Sequence, residues 1–172
     1  MLHDPKNPMR APAYRLGALV LFAATAVILT ALAFEHLGGY TPCPLCLQQR
    51  YAYYAGIPLA FLALVLLSLG RTGLAAIVFV VVAAAFLANA GLGTYHAGAE
   101  WKFWPGPDTC AATARPLTTS GGLLEELEKT RVIRCDEAPW RLLGLSFAGW
   151  NVVTSMLLAA GAGTAALRAW RA

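Results

Sequence analysis

Four long apolar stretches leave this chain little choice of fold. Every residue from 16 to 34 is apolar, Gly or Thr. A helix of that length, at ~1.5 Å per residue, nearly spans a hydrocarbon core of ~30 Å. Ala31-Leu32-Ala33 resembles a leader cleavage site, but the run exceeds the ~7–15 apolar residues of a secretory signal and reads as a membrane span. Comparable stretches cover residues 46–69, 74–95 and 143–167. In lipid the backbone polar groups must be satisfied within the protein, and continuous apolar runs of this length do so as helices. The sequence therefore predicts an all-α membrane protein, a bundle of four transmembrane helices. Residues 1–15 form a short arm before it, and residues 96–142 a long polar loop between helices three and four.

Composition agrees. The chain is 58% hydrophobic and 13% charged, whereas a soluble domain is roughly half apolar and a quarter charged. The net charge of +4 does not point to nucleic acid, because the basic residues are scattered and follow membrane topology. Four spans put both termini on one side. That side holds Lys6, Arg10, Arg15, Arg71, Arg168 and Arg171 against Asp4 alone. The opposite side has no Lys or Arg in its short loop, and six basic residues against seven acids in its long one. The positive-inside rule places the termini and Arg71 in the cytoplasm.

Finer features follow in chain order. Gln48, Gln49, Arg50, Tyr51, Tyr53 and Tyr54 read as an interfacial belt on helix two, and Pro58 as a modest kink. Gly70-Arg71-Thr72-Gly73 is a tight turn. Asn89, alone and polar in helix three, should face another helix. Gly144, Gly149, Gly161 and Gly163 should allow close packing of helix four. Residues 122–129 can wind into a short amphipathic helix, lying on the bilayer or simply in the loop.

The chemistry lies in the four cysteines. Cys43-Pro44-Leu45-Cys46 sits where helix two begins. The two prolines hold the entry extended, so Cys46 falls in the first turn, where free N–H groups and the helix dipole favour a thiolate. Arg50, four residues on, adds a cation on the same face. A Cys-x-x-Cys ring constrains too little chain to serve as a staple. A zinc site needs four ligands, and the sequence offers no second Cys-x-x-Cys or paired His motif. The pair therefore reads as redox-active, with no metal assigned. Cys110 and Cys135 lie in the long loop on the same, outer side, which in bacteria is oxidising. A fixed pair at the membrane edge and a second pair on a water-facing loop suggest an electron relay by thiol–disulfide exchange. With no haem or flavin motif, a membrane quinone is the economical acceptor.

These residues carry a family resemblance. Cys43-Pro44-Leu45-Cys46 with Arg50, Tyr95-His96-Ala97-Gly98-Ala99-Glu100-Trp101, Phe103-Trp104-Pro105-Gly106-Pro107 before Cys110, and Cys135-Asp136-Glu137 with Gly144-Leu145-Ser146 closely resemble the DsbB family. That family comprises disulfide-generating proteins of the bacterial inner membrane. The resemblance implies that a reduced periplasmic oxidase of the DsbA type attacks the loop disulfide, with Cys110 taking the mixed disulfide. Cys135 then attacks Cys43, and freed Cys46 passes electrons to ubiquinone or menaquinone. Arg50 would lie by the quinone and stabilise the thiolate, and His96 would hydrogen-bond a quinone carbonyl or else be solvated among the head groups. DsbA, at about −120 mV, needs an acceptor as strong as a quinone. Glu35 and Glu100 read as solvated loop acids, His36 as an interfacial histidine, and Trp101 and Trp104 as interface anchors. Two other classes remain in view. A vitamin K epoxide reductase-like enzyme carries its edge Cys-x-x-Cys near the end of the bundle, not at the start of helix two. A non-enzymatic tetraspan protein with structural disulfides has no use for an arginine one turn after Cys46.

Overall fold

The computed structural model describes residues 11–106 and 136–172. The N-terminal arm before residue 11, Pro107, Cys110, Cys135 and the amphipathic segment 122–129 lie outside them. Four helices long and apolar enough to cross a membrane dominate the described residues. They are α1 (Pro12–His36), α2 (Pro44–Ser68), α3 (Thr72–Glu100) and α4 (Phe147–Trp170). At ~1.5 Å per residue the shortest, α4, is about 36 Å long, enough to cross ~30 Å of hydrocarbon with a tilt.

Local chemistry sets the helix starts. Pro12 and Pro44 occupy first turns, where a missing N–H costs nothing. Cys43 is the N-cap of α2, and its sulfur accepts the N–H of Cys46. Ser146 caps α4, its hydroxyl oxygen accepting the N–H of Gly149. Pro58 lies within α2 without ending it.

Several boundaries differ from the sequence reading: α1 already begins at Pro12, inside the expected arm 1–15, and two further shifts, in α3 and α4, bear on the site. Helix α3 continues to Glu100, which turns His96 and Glu100 inward on a helix instead of leaving them in a loop. Helix α4 starts at Phe147, because the preceding residues form a hairpin. In it β1 (Arg141–Leu142) pairs antiparallel with β2 (Leu145–Ser146), with Arg141 opposite Ser146. Leu143 and Gly144 both have positive φ, 53° and 84°, as a two-residue turn of type I′ requires.

Short connections make α1, α2 and α3 successively antiparallel, and α4 follows the long loop. Each packs on its neighbours in chain order, and α1 closes the ring against α4. One core cluster, around Phe79, Leu64, Ala75 and Ala165, fills the end that holds the termini. A second, around Val20, Ile28, Phe86 and Leu158, fills the middle. At the far end Cys43 and Leu45 pack with Cys46 and Leu92. Large apolar side chains such as Phe22, Phe61, Leu87 and Leu157 point outward, the arrangement that suits a lipid surround.

The glycines that permit close approach are mostly not the expected ones. A Cβ on Gly17 would lie 2.4 Å from the Phe79 ring, one on Gly93 2.9 Å from Val152, and one on Gly161 2.8 Å from Val20. Gly163 meets nothing, Gly149 meets only nearby Leu145, and Gly144 serves the hairpin turn. Of the four glycines expected to pack α4, Gly161 alone lets another helix approach.

Aromatic residues brace the far end. Phe34, Tyr40, Trp140 and Phe147 form a connected set of ring contacts, with Trp140 stacked on Phe147 at 4.8 Å. Both roots of the long loop are pinned there. Trp104 stacks on Tyr95 and donates its indole N–H to the Tyr95 carbonyl, while Lys102 pairs with Asp136.

Candidate functional site

The site is built from the N-cap of α2 and the facing turn of α3. Capping brings Cys43 and Cys46 together, and their sulfurs are 2.8 Å apart as two thiols. Cys43 is buried and Cys46 is partly exposed. His96 presents Nε2 to the Cys43 sulfur at 3.7 Å. The histidine is 2% exposed, so it is a core residue and not one solvated among head groups.

A polar chain across three helices holds that imidazole. The Gln49 amide nitrogen donates to Nδ1 of His96 at 2.8 Å. The Gln49 carbonyl accepts from the Asn151 amide at 2.7 Å. Asn151 accepts in turn from the Tyr53 hydroxyl and from Asn89, which also donates to Ser155. Because the Gln49 oxygen is already engaged, Nδ1 is the acceptor and the ring proton sits on Nε2, facing Cys43. Among the described residues, no buried side-chain nitrogen or oxygen lacks a partner, as a stable buried network requires. Asn89 faces helix α4, as expected. Gln49 and Tyr53 do not belong to an interfacial belt: both are buried, on the face of α2 that also carries Leu45 and Gly56.

The acids are also placed differently. Glu100 is buried, accepts the Ser146 hydroxyl, and lies 3.8 Å from His96 Nε2. Glu35 lies in the last turns of α1 and takes the Arg50 guanidinium in an ion pair. Neither is a solvated loop acid. A sequence reading sees each carboxylate's neighbours along the chain, whereas these partners are 15 and 46 residues away.

The electrostatics of the dithiol single out Cys43. Its thiol is held well below the ordinary range, chiefly by the hydrogen bond from the Cys46 thiol, with His96 and the Cys46 backbone N–H adding to it and burial opposing. The sequence reading put the thiolate on Cys46. In the dithiol the two sulfurs compete for one proton, and Cys43 faces more donors. Once Cys43 is bonded to another sulfur that competition ends, and Cys46 keeps its first-turn position and its place one turn from Arg50.

The structure thus brings Cys43, Cys46 and His96 together and sets Arg50 one turn along α2 in its pair with Glu35. It adds Gln49, Asn151 and Glu100, which sequence reasoning did not assign to the site. The spacing of Leu45, Gln49 and Tyr53 at four-residue intervals was the signal that Gln49 faces inward. An apolar groove lined by Ile77, Val80, Gly163, Leu167 and Trp170 opens between α3 and α4 toward the opposite end, and no site residue lines it.

A four-helix membrane bundle with a cysteine pair at the mouth of one helix, backed by a buried histidine, defines a class of membrane thiol proteins. Comparison with known sequences narrows the class. The family described as "Disulfide bond formation protein DsbB" matches residues 14–165. "Disulfide bond formation protein B" of Aromatoleum aromaticum is 33% identical over 155 residues, covering 82% of this chain and 85% of that protein. The protein of the same name from Verminephrobacter eiseniae is 31% identical over 84% of this chain and 80% of its own length. "Uncharacterized protein RP370" of Rickettsia prowazekii is 26% identical over 88% of this chain and 87% of its own. No solved structure matches significantly. The chain belongs to the DsbB family. It is a membrane disulfide bond formation protein, with the disulfide-generating oxidoreductase role of that family.

Proposed function

We propose that the protein reoxidises a periplasmic thiol oxidase of the DsbA type and passes the electron pair to membrane quinone. The observation that carries this reading is the Cys43–Cys46 pair at the helix mouth, with the His96 Nε2 proton facing it. Charge asymmetry supports termini and Arg71 in the cytoplasm and all four cysteines on the periplasmic side.

The steps balance as thiol–disulfide exchanges. A partner thiolate attacks Cys110, and Cys135 leaves as a thiolate. Partner sulfur then resolves the mixed disulfide, so the partner departs oxidised. Cys135 attacks the Cys43 sulfur, and the Cys43–Cys46 bond breaks with its electron pair on Cys46. The Cys110 thiolate then attacks Cys135, which restores the loop disulfide and frees Cys43, so the edge pair holds the electron pair. Arg50 supplies positive charge one turn from that thiolate. Gln49 and Asn151 keep the His96 proton on Nε2. Cys110 and Cys135 act here as the water-facing station, by family resemblance and by their place in the long loop.

The residues present suit a quinone. Its carbonyl oxygens need N–H donors, which Arg50 and His96 offer, and its ring needs apolar surroundings, which Leu45 and Leu92 offer beside Cys46. When bound, a quinone supplies a two-electron, two-proton acceptor. The test is oxidation of a reduced DsbA-type protein by the purified chain, with and without added ubiquinone or menaquinone analogue. Multiple turnovers that require quinone are expected. Turnover equal with and without it, in quinone-stripped protein, would reject the reading.

A further inference from the structure

The edge pair has a third donor. The sulfurs of Cys43 and Cys46 and a ring nitrogen of His96 all lie within 4.8 Å of one another. A tetrahedral zinc ion with bonds of ~2.3 Å to sulfur and ~2.0 Å to nitrogen would set these donors roughly 3.5–3.8 Å apart. The Cys43 sulfur and His96 Nε2 already stand at 3.7 Å. The two sulfurs, at 2.8 Å, need to open by about 1 Å, a small side-chain rotation at Cys46. The Cys46 backbone N–H points at the Cys43 sulfur at 3.2 Å, and such a donor stabilises a charged thiolate.

We propose that the reduced edge pair and His96 form a redox-gated binding site for a sulfur-seeking divalent ion, of which Zn2+ is the probe. Two thiolates, one neutral imidazole and Zn2+ sum to zero charge, so the complex avoids leaving bare charge in a half-buried place. Each thiol gives up its proton, and two protons leave per ion bound, with no change of oxidation state. The imidazole proton moves to Nδ1, and the Gln49 amide turns together with that of its partner Asn151, so that the Gln49 carbonyl accepts that proton, the outer-shell hydrogen bond that metal-bound histidines ordinarily make. Three protein ligands leave a fourth position open; the Glu100 carboxylate stands 3.8 Å from His96 Nε2. The Cys43–Cys46 disulfide has no thiolate to offer, so oxidation releases the ion. While held, the ion keeps the reduced pair from donating electrons.

The site rests on geometry alone and does not depend on the quinone reading. Its test uses the full chain with Cys110→Ser and Cys135→Ser, so that loop thiols contribute nothing. Reduced protein is titrated with Zn2+ against a chromogenic chelator, and with Co2+ for its visible spectrum. One Zn2+ per chain is expected when the pair is reduced and none when it is oxidised. Co2+ should give the intense bands of tetrahedral thiolate coordination, and His96→Ala should weaken Zn2+ binding by about tenfold or more. Reduced protein that binds no more Zn2+ than its Cys43→Ser variant would overturn the site. So would His96→Ala binding as tightly as its parent. Quinone-linked turnover of the unmutated chain in chelator is measured separately. Normal turnover without zinc binding sinks only the metal site, and absent turnover with zinc binding sinks only the oxidase reading.

Discussion

Gln49 donates its side-chain amide to Nδ1 of His96 at 2.8 Å, and in doing so decides which nitrogen of that imidazole carries the proton. The glutamine sits on α2 and the histidine on α3. Their contact ties the helix that carries the edge pair to the helix that backs it. Asn151 of α4, bonded to the Gln49 carbonyl at 2.7 Å, prevents the amide from turning freely.

Removing that glutamine should act on both stability and chemistry. Gln49→Leu leaves Nδ1 of His96 and the Asn151 amide without their partner in a buried place. The expected loss is about 1–3 kcal/mol of stability, read by thermal unfolding in detergent. Quinone-linked turnover should also fall by about tenfold, since the ring proton is no longer held on Nε2. Full turnover in a folded Gln49→Leu protein would mean that the tautomer does not matter.

The Arg50–Glu35 ion pair makes a separable prediction. Arg50→Ala should slow quinone reduction strongly. Arg50→Lys should recover part of the rate, since charge remains while the planar fork is lost. Glu35→Gln should retain most of the activity, because it leaves the guanidinium in place and removes only its partner. Rates of quinone reduction under one reductant compare all three. An arginine that merely reaches toward head groups predicts near wild-type rates in every case.

The lowered Cys43 thiol gives a pH dependence with a definite sign. Its folded-state value lies below the ordinary thiol value, so Cys43 by itself contributes stability to the reduced protein that is fully present above that ordinary value. The gain is lost as pH falls through the lowered one. In chelator, with Cys110→Ser and Cys135→Ser, the first proton of the reduced pair should leave at a pH below that of an unperturbed thiol. His96→Ala should move that midpoint upward. Ultraviolet thiolate absorbance against pH reads both, and an unmoved midpoint in His96→Ala would remove the histidine from the account.

Packing supplies a contrast between two glycines. Gly17→Ala drives a Cβ to 2.4 Å from the Phe79 ring, with Leu64 also close, and should cost about 1–3 kcal/mol through overpacking. Gly163→Ala meets no atom within 4 Å and should leave the unfolding temperature unchanged or slightly raised. Equal melting of the two variants would mean that α1 and α3 are not packed as described.

What the sequence determined by itself was whatever depends on local pattern. Continuous apolar runs commit a chain to membrane helices, because lipid offers no other partner for the backbone, and four such runs were plain. The Cys43-Pro44-Leu45-Cys46 spacing set the two cysteines side by side at a helix mouth, one turn from Arg50, for the same local reason: helix geometry alone fixes those positions. Asn89 also read correctly, since an amide surrounded by apolar residues in a span has to find another helix. Residues whose partners come from distant stretches were less legible. Glu100 looked like a loop acid, and His96 stayed open between a quinone contact and solvation among the head groups, because nothing near them in the chain marks the extra turns of α3. Glu35 looked solvated because Arg50 belongs to the next helix. Gln49 and Tyr53 looked interfacial because polar side chains near a helix end usually are, and only the approach of α3 and α4 supplies the partners that bury them. Tertiary structure decided the tautomer of His96, the pairing of Arg50 and the third donor beside the cysteines. Each is a distance between helices, set by where Gly17, Gly93 and Gly161 let the bundle close.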